Sequence, residues 1–111
     1  MVKIVVKAFA TIREAVGEFG RVVLEFPGEV TIKNLLEILS ERFGEKFDAE
    51  VLDADGLLKK TIKVFVNGRD IEFLNGLSTV LKDGDEVALI PPIAGGYGSF
   101  DKQSNTLALD Y

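Results

Sequence analysis

Apolar and polar residues alternate from the start of the chain. Val2, Ile4, Val6 and Ala8 fall on one face and Lys3 and Lys7 on the other, which predicts a strand over residues 2–9. The alternation breaks at Phe9, and Ile12 to Val16 followed by Gly17 predicts a short helical turn, with Gly20 supporting a loop. From Arg21 to Phe26 the period of two returns, Val22, Leu24 and Phe26 inward and Glu25 outward, until Pro27-Gly28 stops it. These two strands are close enough in sequence to pair as a wide antiparallel hairpin.

The strongest element follows. Thr31 has the hydroxyl that accepts from an otherwise orphan N–H at a helix start, and Val30 and Leu35 stand at hydrophobic-staple positions. Ile32, Leu35, Leu36, Leu39 and Phe43 recur at helical spacing, while Lys33, Glu37 and Glu41 occupy the opposite side. Gly44 suits the C-terminal stop. The pattern predicts a helix of about three turns with one buried face.

Glu45 to Lys60 mixes Phe47, Val51 and Leu52 with acids and Gly56, and predicts a connecting loop with a short helical piece. Ile62, Val64 and Val66 then mark a strand over residues 61–66, Asn67-Gly68 a two-residue hairpin turn, and residues 69–71 a short return strand. Phe73, Leu74, Leu77, Val80 and Leu81 suggest a compact turn capping the core. A second turn at Lys82-Asp83-Gly84-Asp85 leads into the last strand, Glu86 to Ile90.

The order is strand, strand, helix, strand, short strand, strand. Two strands cannot cover an amphipathic helix, so it must lie across one face of a mixed sheet. The crossover through the helix should return parallel to the second strand, with the last strand in the sheet interior. This is an α+β fold: a helix gripped by a mixed four- to five-stranded sheet. Phe9, Phe26 and Phe43 are expected in the core, and Arg13 and Arg69 on the solvated surface.

Composition narrows the chemistry. At 111 residues the chain suits one domain with a modest core. It contains no Cys and no His, which removes disulfides, thiolate metal sites, the cysteine nucleophile and the commonest general base. Asp53-Asp55 and Asp83-Asp85 are the available carboxylate pairs, and both are better read as loop and turn residues than as an enzyme's acid and base. A net charge of −5, from 18 acids against 13 bases, opposes nucleic-acid binding and suits solubility or a basic protein partner. The lack of a long apolar run or signal-peptide pattern leads to an expectation of a cytoplasmic protein with no membrane role.

Three segments carry a resemblance: Val6-Lys7-Ala8-Phe9-Ala10 with Arg13-Glu14 and Gly17; Val66-Asn67-Gly68-Arg69; and the run from Leu81 through Pro91-Pro92-Ile93-Ala94-Gly95-Gly96. Over residues 1–96 the chain resembles the ubiquitin-like β-grasp sulfur carriers, including the molybdopterin synthase small subunit and small archaeal modifier proteins. The resemblance implies a carrier or modifier, not an enzyme, that acts through the C-terminal carboxylate at Gly95-Gly96. A ubiquitin-activating-type adenylating enzyme would use ATP on it, and the carrier itself would bind no cofactor or metal. Further implied partners are the large subunit of molybdopterin synthase or lysines of target proteins. Glycines without Cβ atoms let the chain end enter a narrow channel, and the two prolines stiffen its approach. Phe65, Arg69, Phe73, Pro91, Pro92 and Ile93 are the candidate docking residues.

Family members end at the second glycine, whereas here Gly96 is followed by residues 97–111. As an internal amide it cannot be adenylated. Three readings stay open: a processing protease cuts the Gly96–Tyr97 junction; the chain is a non-conjugated β-grasp interaction module with an ordered C-terminal tail; or the extension is foreign to the natural protein.

Overall fold

A computed structural model describes residues 1–92. Strand β1 (Val2–Ala8) pairs antiparallel with β2 (Arg21–Phe26) in the register Val2↔Phe26 through Lys7↔Arg21. Between them lie the helix α1 (Ala10–Val16) and a 3₁₀ turn at Glu18–Gly20. The two-residue strand β3 (Val30–Thr31) leads into α2 (Ile32–Phe43), which is followed by α3 (Glu45–Val51). Strands β4 (Lys63–Val66) and β5 (Arg69–Asp70) flank the Asn67-Gly68 turn, where both residues have positive φ as a tight hairpin requires. After 3₁₀ turns at Ile71–Phe73 and Gly76–Ser78 come β6 (Val80–Leu81) and β7 (Glu86–Ile90).

The main sheet has five strands in the order β2-β1-β7-β4-β5, and β3 pairs with β6 in a separate ribbon. Strand β7 is central, parallel to β1 and antiparallel to β4. Those pairings make β4 run in the same direction as β2, as the crossover through α2 demands. Ile4, Val6 and Ala8 of β1, Val22 and Leu24 of β2, Val64 and Val66 of β4, and Val87 and Leu89 of β7 all point into one core. Against this face lie Ile32, Leu35, Leu36 and Leu39, the apolar stripe of α2. This is the ubiquitin-like β-grasp arrangement, with five strands.

The start of α2 follows from local chemistry. The Thr31 hydroxyl accepts from the Asn34 N–H at 3.2 Å, and the Asn34 side chain accepts from the Thr31 N–H at 3.1 Å. The next N–H, that of Ile32, donates to the Thr79 carbonyl at 3.0 Å and ties the helix to the turn before β6. Val30 and Leu35 are both buried, as the staple positions require.

Several sequence expectations change. The stretch after Gly44 is a helix whose Phe47 and Val51 are fully buried, not chiefly a loop. Seven residues are too few to display a clear helical stripe, so only the tertiary contact reveals it. The return strand stops at Asp70, because the Asp70 carboxylate accepts from the Glu72 N–H and starts a 3₁₀ turn. Phe9 is not core: it is 46% exposed at the end of β1, while Phe26 and Phe43 pack half-buried against the core.

Candidate functional site

The site is the end of β7 and the sheet around it. The Leu89 carbonyl accepts from the Phe9 N–H at 3.1 Å, and Ile90 lies opposite Lys63 of β4. Pro91 then ends the ladder because it has no N–H to donate. It is buried and Pro92 is exposed. A central strand paired on both sides is a rigid mount for residues 93–96, the diglycine arm of the sequence. Ile93, Gly95, Gly96 and Tyr97 lie outside the described residues.

The start of β7 is held as firmly. Gly84 donates its N–H to the Lys3 carbonyl at 2.8 Å, and the Asp83 carboxylate accepts from the Lys3 N–H at 2.8 Å. Asp85 accepts from the Lys82 N–H and from the Asn67 side-chain amide, at 2.8 Å and 2.9 Å. Asp53 accepts from the N–H groups of Asp55 and Leu57. These carboxylates sit in turns, as their sequence positions suggested, and tie them to their own backbone, to β1 and to the Asn67 side chain.

On the face turned away from α2, the outward residues form an apolar stripe in two parts, one on β2–β1 and one on β7–β4. Val23 lies opposite Val5, Phe65 opposite Ala88, and Ile90 follows two residues along β7. Val5, Phe65, Ala88 and Ile90 are half-buried and Val23 is 40% exposed. At the β1–β7 boundary the stripe is interrupted: Val5 lies opposite Glu86 and Ala88 opposite Lys7, with Lys7 Nζ paired to Glu86 at 2.9 Å, while Lys63 Nζ lies 3.8 Å from Asp70 and 3.6 Å from Glu72 on the far side. The stripe passes over β7 directly before the arm, so an apolar partner surface can meet it and the arm together.

The structure separates the candidate docking residues. Phe65, Pro91 and Pro92 share the β4–β7 region. Arg69 lies beside Val66, whose partner Val87 is at the start of β7, roughly 17 Å along the strand from Pro92 at about 3.3 Å per residue. Phe73 is 83% exposed on the 3₁₀ turn beyond β5. Reasoning from sequence missed Val5, Val23, Ala88 and Ile90, which are brought together only by strand register.

It also missed the aromatic pair at the arm's end of the sheet. Phe9 adjoins Leu89, and Phe19 is 89% exposed with φ 58. The adjacent Gly20 abuts the Ala8 carbonyl, which brings Phe19 to the same end. An aromatic between Gly17 and Gly20 was the available signal.

Away from the arm, a groove of about 390 Å³ opens between α2 and the Asp53–Leu58 turn. Among its lining residues, Ser40 donates to the Asp48 carboxylate. No group of three Asp or Glu side chains among the described residues is placed to hold a metal ion.

Comparison with known proteins gives the same outline. The ThiS family model matches residues 6–96. The putative sulfur carrier protein of Archaeoglobus fulgidus is 39% identical over 74 residues, 66% of this chain and 83% of that protein. Small archaeal modifier protein 3 of Haloferax volcanii is 36% identical over 88 residues, 79% of this chain and 92% of that protein. The crystal structure of the Haloferax volcanii modifier SAMP1 superposes with a TM-score of 0.74 at 30% identity, over 85% of this chain and 99% of that one. With a matched region that starts in β1 and runs through the diglycine, the chain belongs to the ThiS family of ubiquitin-like sulfur carriers.

Proposed function

We propose that this protein is a carrier or modifier activated at the Gly96 carboxylate, and is not itself an enzyme. The observation that carries the reading is the central strand β7, held on both sides and ending in buried Pro91 and exposed Pro92, four residues before Gly96. The similarity to proteins named as a sulfur carrier and a modifier supports it.

The chemistry proceeds in three steps. A protease adds water across the Gly96–Tyr97 amide and releases residues 97–111. A Gly96 carboxylate oxygen attacks the α-phosphorus of ATP on a partner adenylating enzyme, forming the acyl-adenylate and releasing pyrophosphate. A hydrosulfide ion or a lysine amine then attacks the acyl carbon and expels AMP, leaving a thiocarboxylate or an isopeptide bond. Adenylation is needed because a carboxylate is a poor electrophile. This chain contributes the arm and a docking surface made of Phe65, Pro91, Pro92, Ile93 and the Val5–Ala88 stripe, with Phe9 and Phe19 at its end. Arg69 and Phe73, farther away, would serve a partner broad enough to reach past β5. Such a partner could be the activating enzyme or the large subunit of molybdopterin synthase.

The test is ATP–pyrophosphate exchange with a purified adenylating enzyme of this class, followed by intact-mass analysis. The chain ending at Gly96 should support exchange and gain a sulfur in place of an oxygen, whereas the chain ending at Tyr111 should do neither. In the native cells a species ending at Gly96 is expected. If only chains ending at Tyr111 are found under every growth condition, the protein is instead a non-conjugated interaction module.

A further inference from the structure

The two edges of the main sheet differ. On one side β5 has two residues and turns immediately into a 3₁₀ segment, which leaves little backbone to pair. On the other side β2 is six residues long, pairs without interruption with β1, and makes no backbone hydrogen bond on its outer side to any described residue. It contains no Pro or bulge, two devices that keep natural edge strands apart.

The side chains of β2 are self-complementary. Its outward residues are Arg21, Val23 and Glu25. In antiparallel pairing, opposite residues share a face, so few registers are open to two copies of this strand. Pairing centred on Val23 sets Arg21 opposite Glu25 of the second copy and Val23 opposite Val23, with Val22 opposite Leu24 on the core side. Centring on Val22 or Leu24 would set Val23 against a charged residue and lose both Arg–Glu pairs.

Within one copy Glu25 faces the opposite charge of Lys3 across the ladder, whereas Arg21 is poorly served. Arg21 lies opposite Lys7, a like charge already paired with Glu86 at 2.9 Å. Neither Arg21 nor Glu25 forms an ion pair with any described residue.

We propose that the outer edge of β2 pairs with β2 of a second copy of this chain, antiparallel and centred on Val23, joining two five-stranded sheets into one of ten. The two-fold axis makes the contact isologous, with each Arg21 meeting the other copy's Glu25. Each β7 is then separated from the other by β1, β2 and their copies, about 24 Å at ~4.8 Å per strand. The antiparallel axis puts the C-terminal ends of the two β7 strands at opposite ends of the joined sheet, so pairing covers neither Pro91 nor its copy. A contact of one strand pair is small, and the dimer is weak and reversible.

Sedimentation equilibrium of the chain ending at Gly96 and of the full chain tests this. Both should dimerise, with amide shifts on dilution concentrated in Arg21–Phe26. Arg21→Glu or Glu25→Arg each sets like charges opposite one another twice across the axis, and should weaken dimerisation about tenfold. The double swap Arg21→Glu with Glu25→Arg should restore it, while circular dichroism confirms that every variant is folded. A chain monomeric at every accessible concentration overturns the proposal. So does a dimer indifferent to the single swaps, or a double swap that fails to restore pairing. If the chain ending at Gly96 dimerises but the full chain does not, the edge belongs to residues 97–111, and the second copy is not the native occupant.

Discussion

Replacing Gly20 by alanine should damage this fold far more than the same change at Gly17, three residues earlier. Both have positive φ, +66° at Gly17 and +78° at Gly20, so each alanine incurs the left-handed penalty of about 1–2 kcal/mol. Part of that is offset because alanine restricts the unfolded chain, by about 0.4–1 kcal/mol. The net cost at Gly17, where a Cβ would meet nothing within 4 Å, is about 1 kcal/mol. At Gly20 the Cβ would lie 2.5 Å from the Ala8 carbonyl oxygen and 2.8 Å from Arg13 Cγ. The arginine stem can swing aside. The Ala8 carbonyl cannot, because it ends a strand paired on both sides, so relief requires a backbone shift costing a further ~1–3 kcal/mol. The total is about 3 kcal/mol. At ~4–8 °C per kcal/mol for a domain this size, Gly17→Ala should lower Tm by about 4–8 °C and Gly20→Ala by about 12–25 °C. Thermal melts followed by circular dichroism, with urea titrations to check that the m-value is unchanged, provide the measurement. Adding Arg13→Ala to Gly20→Ala should recover little. If the two glycine variants melt within about 3 °C of each other, the Ala8 carbonyl is not a rigid wall and the reasoning fails.

Other outcomes follow from the same geometry. Phe47→Ala empties a fully buried site and should cost about 3–5 kcal/mol by urea unfolding, where a loop residue would cost almost nothing. Thr31→Ala removes the acceptor for the Asn34 N–H and should cost about 1 kcal/mol in the same assay. Lys7→Ala breaks a pair whose side chains are roughly half exposed, and should change stability by less than about 1 kcal/mol, with the difference shrinking in high salt. Ala88→Arg places a charge on the apolar β7–β4 part of the outer face, between Phe65 and Lys7. It should leave Tm within about 3 °C yet lower kcat/KM for adenylation at least tenfold in the pyrophosphate-exchange assay, about 1.4 kcal/mol or more of lost docking.

Much of the architecture was legible because local chemistry and burial agree. The stripe Ile32–Leu35–Leu36–Leu39 has one arrangement that buries it, and Thr31 marks where it begins. The alternations in Val2–Ala8, Arg21–Phe26 and Glu86–Ile90 each bury one set of residues, so their faces were set before any pairing was known. The Asp83–Asp85 turn was correctly read as structural, since Asp and Gly there serve the backbone.

Elsewhere the sequence was silent, because the deciding partner is distant along the chain. Phe47 looks like a lone aromatic among acids until α1 and α2 close over it, and Phe9 looks like core until β1 ends one residue before it. The outer stripe exists only because register puts Val23 beside Val5 and Phe65 beside Ala88. By itself the sequence determined the α2 helix, the alternating strands and the diglycine arm, features carried by neighbouring residues. The interior place of the last strand was also legible, and only the tertiary structure decided that β1 and β4 flank it, that Arg69 lies at the far end from Pro92, and that β2 presents a free, self-complementary edge. Those depend on strand order and register, which hydrogen bonds between distant segments set.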